Sequence, residues 1–480
     1  MKMIKFFATV SIVAMIGMGF SSCGGGDDNP ADKTTQGSGN EGGGNEGGGG
    51  TTVGDTPMSK SEQTDFLEST AHELITMAPA SDFEELTDMA KDARNINSKN
   101  LDNWFGDIFE KTIEKVSETL DNSYVGSYYS SFYYTRNYKA AFEIANYKGH
   151  FEVQNGKWQL VQSDVDDLKF TFKDSKNDTW VLRAEATGPF KKVHMFALRD
   201  RNYEYSYSNN NNVYKSYTDI TQCVISIPKS TVVTLTKNGT QKVKTTVNAE
   251  LSDITGEEFD ISKNDISVSV VVEVKDYKID VSQVVYKHNN SANVSTVVSK
   301  GSKKMLTASV TSTLSGVPSV NVSAFTNNFD PHIFEYTEGN AIIKLDILGK
   351  VQVQGKVTKV HALADILENA RKQRESESDF KSDIREANEH LELGLFYNNK
   401  SLKQANVYLE PFEQTGYRYT WNGSSSSYTP YKYWVWDMVI QFGDDSSYST
   451  MANYFSKSNF RSVYGDIEAL IDSYSKLVKK

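Results

Sequence analysis

The chain is 480 residues long and poor in the features that usually announce an activity. Two cysteines exclude a disulfide-dense scaffold and any multi-Cys zinc module. There is no surplus of positive charge: 51 Lys+Arg stand against 62 Asp+Glu, a net −11, and an acidic surface repels a phosphate backbone, so no nucleic-acid partner is expected. Beyond the N-terminus there is no long apolar run, and no Pro- or Ser-rich linker divides residues 57–480. A GxSxG elbow, a P-loop and an HExxH or HxH spacing are all missing. The seven histidines, His72, His150, His194, His288, His332, His361 and His390, are scattered and read as solvated or hydrogen-bonded singles, so no metal site and no cofactor are expected. Asp164, Asp166 and Asp167 alternate, but without the central Gly and terminal Glu of a calcium loop they read as a solvated turn.

What is present begins with an address. Lys2 and Lys5 precede an apolar stretch, Phe6 to Phe20, of signal-peptide length and too short to span a bilayer. Phe20-Ser21-Ser22 then leads into Cys23, and Gly24-Gly25-Gly26-Asp27-Asp28 follows. This resembles the cleavage site and acidic export stretch of Bacteroidota outer-membrane and surface lipoproteins. The resemblance covers about the first 30 residues and speaks only to address and anchoring. It implies removal of residues 1–22, lipid on Cys23, and a membrane partner reached through acyl chains worth ~0.8 kcal/mol per buried methylene. The expected location is the cell envelope, lipid-anchored at the outer membrane and surface-exposed. Two lysines leave with the signal, so the mature chain is more acidic still. Cys223, among Val224, Ile225 and Ile227, reads as a small buried hydrophobe rather than a reactive thiol.

Residues 23–56 comprise the lipid-bearing Cys and a disordered Gly-rich tether. Twelve of the 32 glycines fall between Gly24 and Gly50, and a coil of this length spans on the order of 30 Å. Residues 57–124 read as helices. Ser59/Glu62 and Ser81/Glu84 have capping-box spacing, and Leu101, Trp104, Phe105, Ile108, Phe109, Ile113, Val116 and Leu120 make one wide stripe over 101–120. Residues 125–358 alternate with period two and are rich in Val, Thr, Tyr and Phe. Asn155-Gly156 and Asn238-Gly239 mark two-residue hairpins. The phase change between Val274 and Tyr277 suggests a bulge within one long strand, and the run around Gly349-Lys350 is either one long curved strand or a tight hairpin. The segment from Val232 to Ser252 is echoed by that from Val294 to Ser315, as a duplicated hairpin would be.

Residues 359–480 return to helix over 359–395, then give a strand from Tyr431 to Phe442 that is apolar on both faces, hence a central one, and end in an amphipathic helix. The expected fold is α+β: a helical N-terminal segment, a large, mostly antiparallel sheet open to strong curvature, and a helical C-terminal segment packed on it. Such long strands beside an amphipathic helix resemble, in architecture alone, tubular lipid-binding proteins of the bactericidal/permeability-increasing type.

Aromatic residues are the real excess, with 26 Tyr, 24 Phe and 6 Trp. Tyr205, Tyr207 and Tyr214 flank the polar loop Asn209 to Asn212 and are the candidate ligand contacts, whereas Trp434 and Trp436 read as core. The function expected is non-enzymatic binding of an apolar, lipid-type ligand or a glycan. The alternatives are a polysaccharide hydrolase, which needs two convergent carboxylates, and a structural part of an envelope assembly. If Cys23 carries the lipid, cells fed a clickable fatty acid will label the wild-type chain and leave Cys23→Ala unlabelled.

Overall fold

The computed structural model describes residues 57–479 apart from 125–128, 144–145, 209–210, 253–263, 288–290, 315–318, 321–333, 336–338, 422–425 and 444–447. The signal segment, Cys23, the tether, His288 and His332 lie outside the described residues. The described chain belongs to one compact unit, Pro57–Lys480.

Helices come first: α1 (Lys60–Thr76), a 3₁₀ turn (Ala80–Phe83), α2 (Glu84–Arg94) and α3 (Lys99–Glu110). Strands follow: β1 (Ile113–Tyr124), β2 (Tyr129–Glu143), β3 (Gly149–Gln154), β4 (Lys157–Gln162), β5 (Leu168–Lys173), β6 (Thr179–Ser208), β7 (Asn211–Lys237), β8 (Thr240–Leu251), β9 (Ile266–Val274), β10 (Tyr277–Lys287), β11 (Ser291–Lys300), β12 (Lys303–Leu314), the short β13 (Ser319–Val320) and β14 (Phe334–Glu335), β15 (Gly339–Ile347) and β16 (Val351–Val357). A helical hairpin, α4 (Val360–Lys372) and α5 (Glu377–Glu389), interrupts them. Then come β17 (Leu391–Tyr397), β18 (Lys403–Trp421), β19 (Ser426–Phe442), β20 (Tyr448–Thr450), α6 (Met451–Tyr454) and α7 (Arg461–Lys479).

Eighteen strands form one mixed sheet, and β13 and β14 pair apart from it. From β5 onward, leaving out β13 and β14, each strand of the sheet pairs antiparallel with the next. Two parallel contacts depart from the expected pattern, β2 with β7 and β3 with β5.

Register lines apolar residues up on one face. Leu182, Leu235, Val243 and Val274 face one another in succession, and so do Ile279, Val298, Leu306, Ile347, Val351 and Tyr397. A sheet apolar on one side must be covered there. Helices α1 and α7 bring Phe66, Leu67, Ile75, Val463 and Ile467 onto β16 to β19. Helices α2 and α3 bring Leu86, Met89, Leu101 and Trp104 onto Trp180, Phe151 and Trp158. The α4–α5 hairpin seats Ile366, Phe380 and Ile384 against Leu409 and Trp434.

The hairpin tips at one edge carry lysines, and the helical layer meets them with acids. Glu85 takes Lys237 and Lys242, Asp82 takes Lys300, and Glu73 takes Lys303 and Lys350. Hydrogen bonds from Lys303 and Lys350 hold the Glu73 carboxyl below its usual value, and those from Lys300 and Tyr277 do the same for Asp82. Burial and then Asp82 push the Tyr277 phenol up to about 12.

Several expectations hold. Ser59 and Glu62 form a full capping box. Asn155-Gly156 and Asn238-Gly239 turn their hairpins with φ of 52°, 72°, 48° and 81°, the left-handed pairing that Asn-Gly favours. The echo is two hairpins, β7–β8 and β11–β12. Leu348 and Gly349 (φ 58° and 71°) turn a tight hairpin, which decides between the two readings of that run.

Others are corrected. The stripe over 101–120 is not one helix: α3 stops at Glu110, and 113–124 pair with β2, leaving Ile113, Val116 and Leu120 exposed. Strand pairing won because β2 offers backbone partners along the whole segment. Ser81/Glu84 makes no box, since a 3₁₀ turn lies there and α2 has no side-chain cap. The phase change at 274–277 is a hairpin around Lys275-Asp276, with a separate register shift at 281–284. Residues 391–397 are strand, not helix. The 426–442 strand is not central: beyond its short contact with β20 it is a sheet edge, and Trp436 and Met438 are exposed.

A buried polar node fixes α1 to the sheet. Gln63 is fully buried; its amide donates to the carbonyls of Met58 (2.8 Å) and Gln404 (3.1 Å), and Tyr397 donates to its carbonyl oxygen (2.9 Å). Gln63→Ala strands these partners at ~1–3 kcal/mol each. The expected result is a urea midpoint lower by at least ~2 kcal/mol equivalent with an unchanged m-value.

Candidate functional site

Strands β6 and β7 are far longer than the middle strands, at 30 and 27 residues. Only the last eight residues of β7 pair with β8; its first half runs on beside β2, and β2 beside β1. The result is a four-stranded arm, β6-β7-β2-β1, extending beyond the helical cover.

Side chains on a strand alternate between faces, so register decides which tyrosines share one. Tyr205 lies opposite Tyr214, Tyr203 opposite Ser216, Ser216 beside Tyr133, and Tyr214 beside Ser131. Tyr203, Tyr205, Tyr214 and Tyr133 therefore occupy one face, with serines between them. Tyr203 stacks on Tyr214, centroids 5.8 Å apart and planes 27° off parallel. Burial, then the neighbouring Tyr203 and Tyr133, raises the Tyr214 phenol above its ordinary value. Tyr203 and Tyr205 are 60% and 59% exposed, and Tyr133 is exposed too. Singly exposed rings are ordinary, but rings clustered on one face in this way form a patch of the kind that marks an interaction surface.

The other face of the arm stiffens it. Arg136 donates two hydrogen bonds to Asp219, the Nη2–Oδ2 contact at 2.6 Å, and its guanidinium lies 4.2 Å from the Tyr217 ring centroid. Tyr217 stacks on Tyr134 at 5.0 Å and donates to Glu204 at 3.0 Å. Asn202 adds a bond to Asp219. The paired Arg136 holds the Asp219 carboxyl below its usual value, against the cost of burial.

Of the residues expected to contact ligand, Tyr205 and Tyr214 come together. Tyr207 falls on the same face by register, opposite Asn212, while its side chain lies outside the described residues. Tyr203 and Tyr133 were missed. The Tyr203-x-Tyr205-x-Tyr207 alternation already placed Tyr203 on that face. Nothing local could place Tyr133, which arrives through the parallel β2–β7 contact.

Elsewhere, most titratable clusters are internally satisfied, although one buried carboxylate oxygen each of Asp280 and Asp383 has no hydrogen-bond partner among the described residues. Asp167 is not in a solvated turn: it is buried, taking hydrogen bonds from Arg183 and His150, and they hold its carboxyl low despite burial. His72 meets Asp466 through Nδ1 and Ser462 through Nε2 (3.2 Å). The Ser462 hydroxyl donates instead to Glu68 (3.0 Å), so its proton is turned from the imidazole and the cluster ties α1 to α7. His361 pairs with Asp365, and His390 contacts Thr358. A polar cleft between α2 and the β5–β6 turn is lined by Glu85, Asp88, Asp174 and Lys237, and both Glu85 and Asp88 face lysines there. Cys223 is a buried free thiol whose pKa burial raises, which keeps it protonated. Among the described residues no group of three His, Cys, Asp or Glu could hold a metal, and no helix is long and apolar enough to cross a membrane.

No protein-family model matches the chain, and no curated protein or solved structure is similar to it.

Because the Asp219 carboxyl is depressed, the Arg136 clamp contributes fully above the ordinary carboxylate range and is lost as pH falls through the folded value. Wild type is expected to exceed Asp219→Asn by about 1–2 kcal/mol at pH 7 in urea denaturation, since charge-assisted bonds are strong but this one is partly wet. The gap narrows below about pH 4.

Proposed function

We propose that the folded part is a non-enzymatic carbohydrate-binding module of the cell envelope, held there by lipid on Cys23 and lifted from the membrane by the Gly-rich tether. The observation that carries this reading is the tyrosine face of the arm: open rings of Tyr203, Tyr205 and Tyr133 beside half-buried Tyr214, interleaved with Ser131 and Ser216. Sugar rings present flat C–H faces edged by hydroxyls. Tyrosine answers both, with a rigid apolar face and a polar tip, and fixing its two torsions costs little entropy. The stacked Tyr203–Tyr214 pair and the Arg136–Asp219 backing hold the platform before ligand arrives, which lowers the ordering cost of binding.

A second reading, carriage of an apolar ligand on a strongly curved sheet, is favoured by one observation. Val294 and Val310, directly opposite each other on the apolar face, remain 44% and 41% exposed.

The test is affinity electrophoresis of the chain from Gly24 onward in gels containing barley β-glucan, xylan, galactomannan or pullulan. At least one gel is expected to retard the chain. Tyr203→Ser/Tyr205→Ser should weaken that retardation at least about fivefold, roughly 1 kcal/mol for truncating interface aromatics. No retardation in any gel, with a lipid-sized mass in native mass spectrometry of protein purified without detergent, would favour the apolar reading instead.

A further inference from the structure

A second arm of the sheet has its own open tyrosine face. Strands β18 and β19 stay paired for seventeen positions, from Ala405–Phe442 to Trp421–Ser426, whereas β17 pairs with β18 only over Lys403 to Val407. The outer part is thus a two-stranded ribbon. Register places Tyr417, Tyr419 and Tyr428 on one face, together with Glu413, Thr415 and Lys432. Tyr417 and Tyr428 are 68% and 69% exposed, the most open large hydrophobic side chains among the described residues, and Tyr419 stands at 54%.

The opposite face shows what a covered tyrosine looks like here. Arg418 lies 4.8 Å from the centroid of Tyr431, and Arg374 lies 5.1 Å from that of Tyr433. The Tyr431 ring fills the space a side chain at Gly416 would take, within 2.8 Å of an ideal Cβ. Tyr433 donates to Gln414, and Arg418 is held by Glu375. Those aromatics have structural partners. Tyr419 and Tyr428 face each other at 5.4 Å, and among the described residues no arginine or lysine covers these three rings.

We infer that this ribbon face is a second carbohydrate-binding site, for an extended polysaccharide; the inference rests on the glycan reading of the first arm. The chemistry favours a sugar over an acyl chain. The open rings alternate with Thr415 and with the Glu413–Lys432 ion pair (2.9 Å), groups that hydrogen-bond hydroxyls but that an acyl chain would have to desolvate. The two arms lie at β6–β7 and β18–β19, and the strands between them run a contour of up to about 40 Å at ~4.8 Å per strand. A polymer can engage two such sites where a short oligosaccharide fills one, and the second contact is then intramolecular.

Tyr417→Ser/Tyr419→Ser/Tyr428→Ser tests this beside the first-arm variant and the two combined, in the same four polysaccharide gels and against phosphatidylethanolamine–phosphatidylglycerol vesicles. All the altered side chains are surface-exposed, and equal thermal midpoints would show that the fold is kept. The expected result is retardation weakened at least about threefold by either set and abolished by both. If the ribbon variant runs as wild type while the first-arm variant loses all retardation, the second site is overturned and the first stands. If wild type is retarded in no gel, both readings fall. If the ribbon variant loses only vesicle binding, the face is a membrane contact and the inference is overturned.

Discussion

A sheet with one apolar face cannot stand in water uncovered, and that constraint organises this protein. The alternation of Val, Ile and Leu in β8 to β17 puts nearly all the apolar side chains on one side. Helices from both ends of the chain then lie over the same face: α1 to α3 precede the sheet and α7 follows it. Cover from such distant segments needs fixing in register. The Gln63–Tyr397–Gln404 node does this at the centre, and the acids of α1 to α2 do it along the row of lysine-bearing tips. The node is the more decisive, because its groups are buried and unpaired partners there are costly, whereas the tip ion pairs are partly wet and individually weak.

The cover is shorter than the longest strands, and that mismatch creates the candidate sites. Where β6, β7, β18 and β19 run beyond the helices, apolar patterning gives way to Tyr, Ser, Thr and Asn, side chains that tolerate water on one side. The edges of these extensions are managed. The Trp434 N–H donates to the Arg374 carbonyl, so the helical hairpin caps part of the free edge of β19. A register shift between Lys115 and Ser117 kinks the outer edge of β1. Both devices discourage pairing by a foreign strand and leave the tyrosine faces as the open surface.

Local signals were legible wherever local chemistry decides. Asn155-Gly156 and Asn238-Gly239 needed only left-handed φ, and the Ser59 box only four residues. Signals failed where one pattern fits two structures. Ile113, Val116 and Leu120 satisfy helical spacing, but β2 offered backbone hydrogen bonds to that segment and the helix lost. The aromatics of 431–442 fill both faces of their strand as a central strand's would, yet on one side Tyr431 and Tyr433 lie under arginines and on the other Trp434 packs on α5 and lies under Lys381. Of the site, the Tyr205 and Tyr214 hairpin pair was visible because the two residues sit nine apart around one turn.

By itself the sequence determined the α+β class, the hairpin turns and the two-residue period of the sheet. These follow from backbone sterics and side-chain alternation, each acting over a few residues. Only the tertiary structure decided that β2 joins β7 in parallel, which brings Tyr133 to Tyr203 and Tyr214, and that the middle strands stop short of the arms. Those outcomes depend on pairing between segments some eighty residues apart, where burial and register compete across the whole sheet.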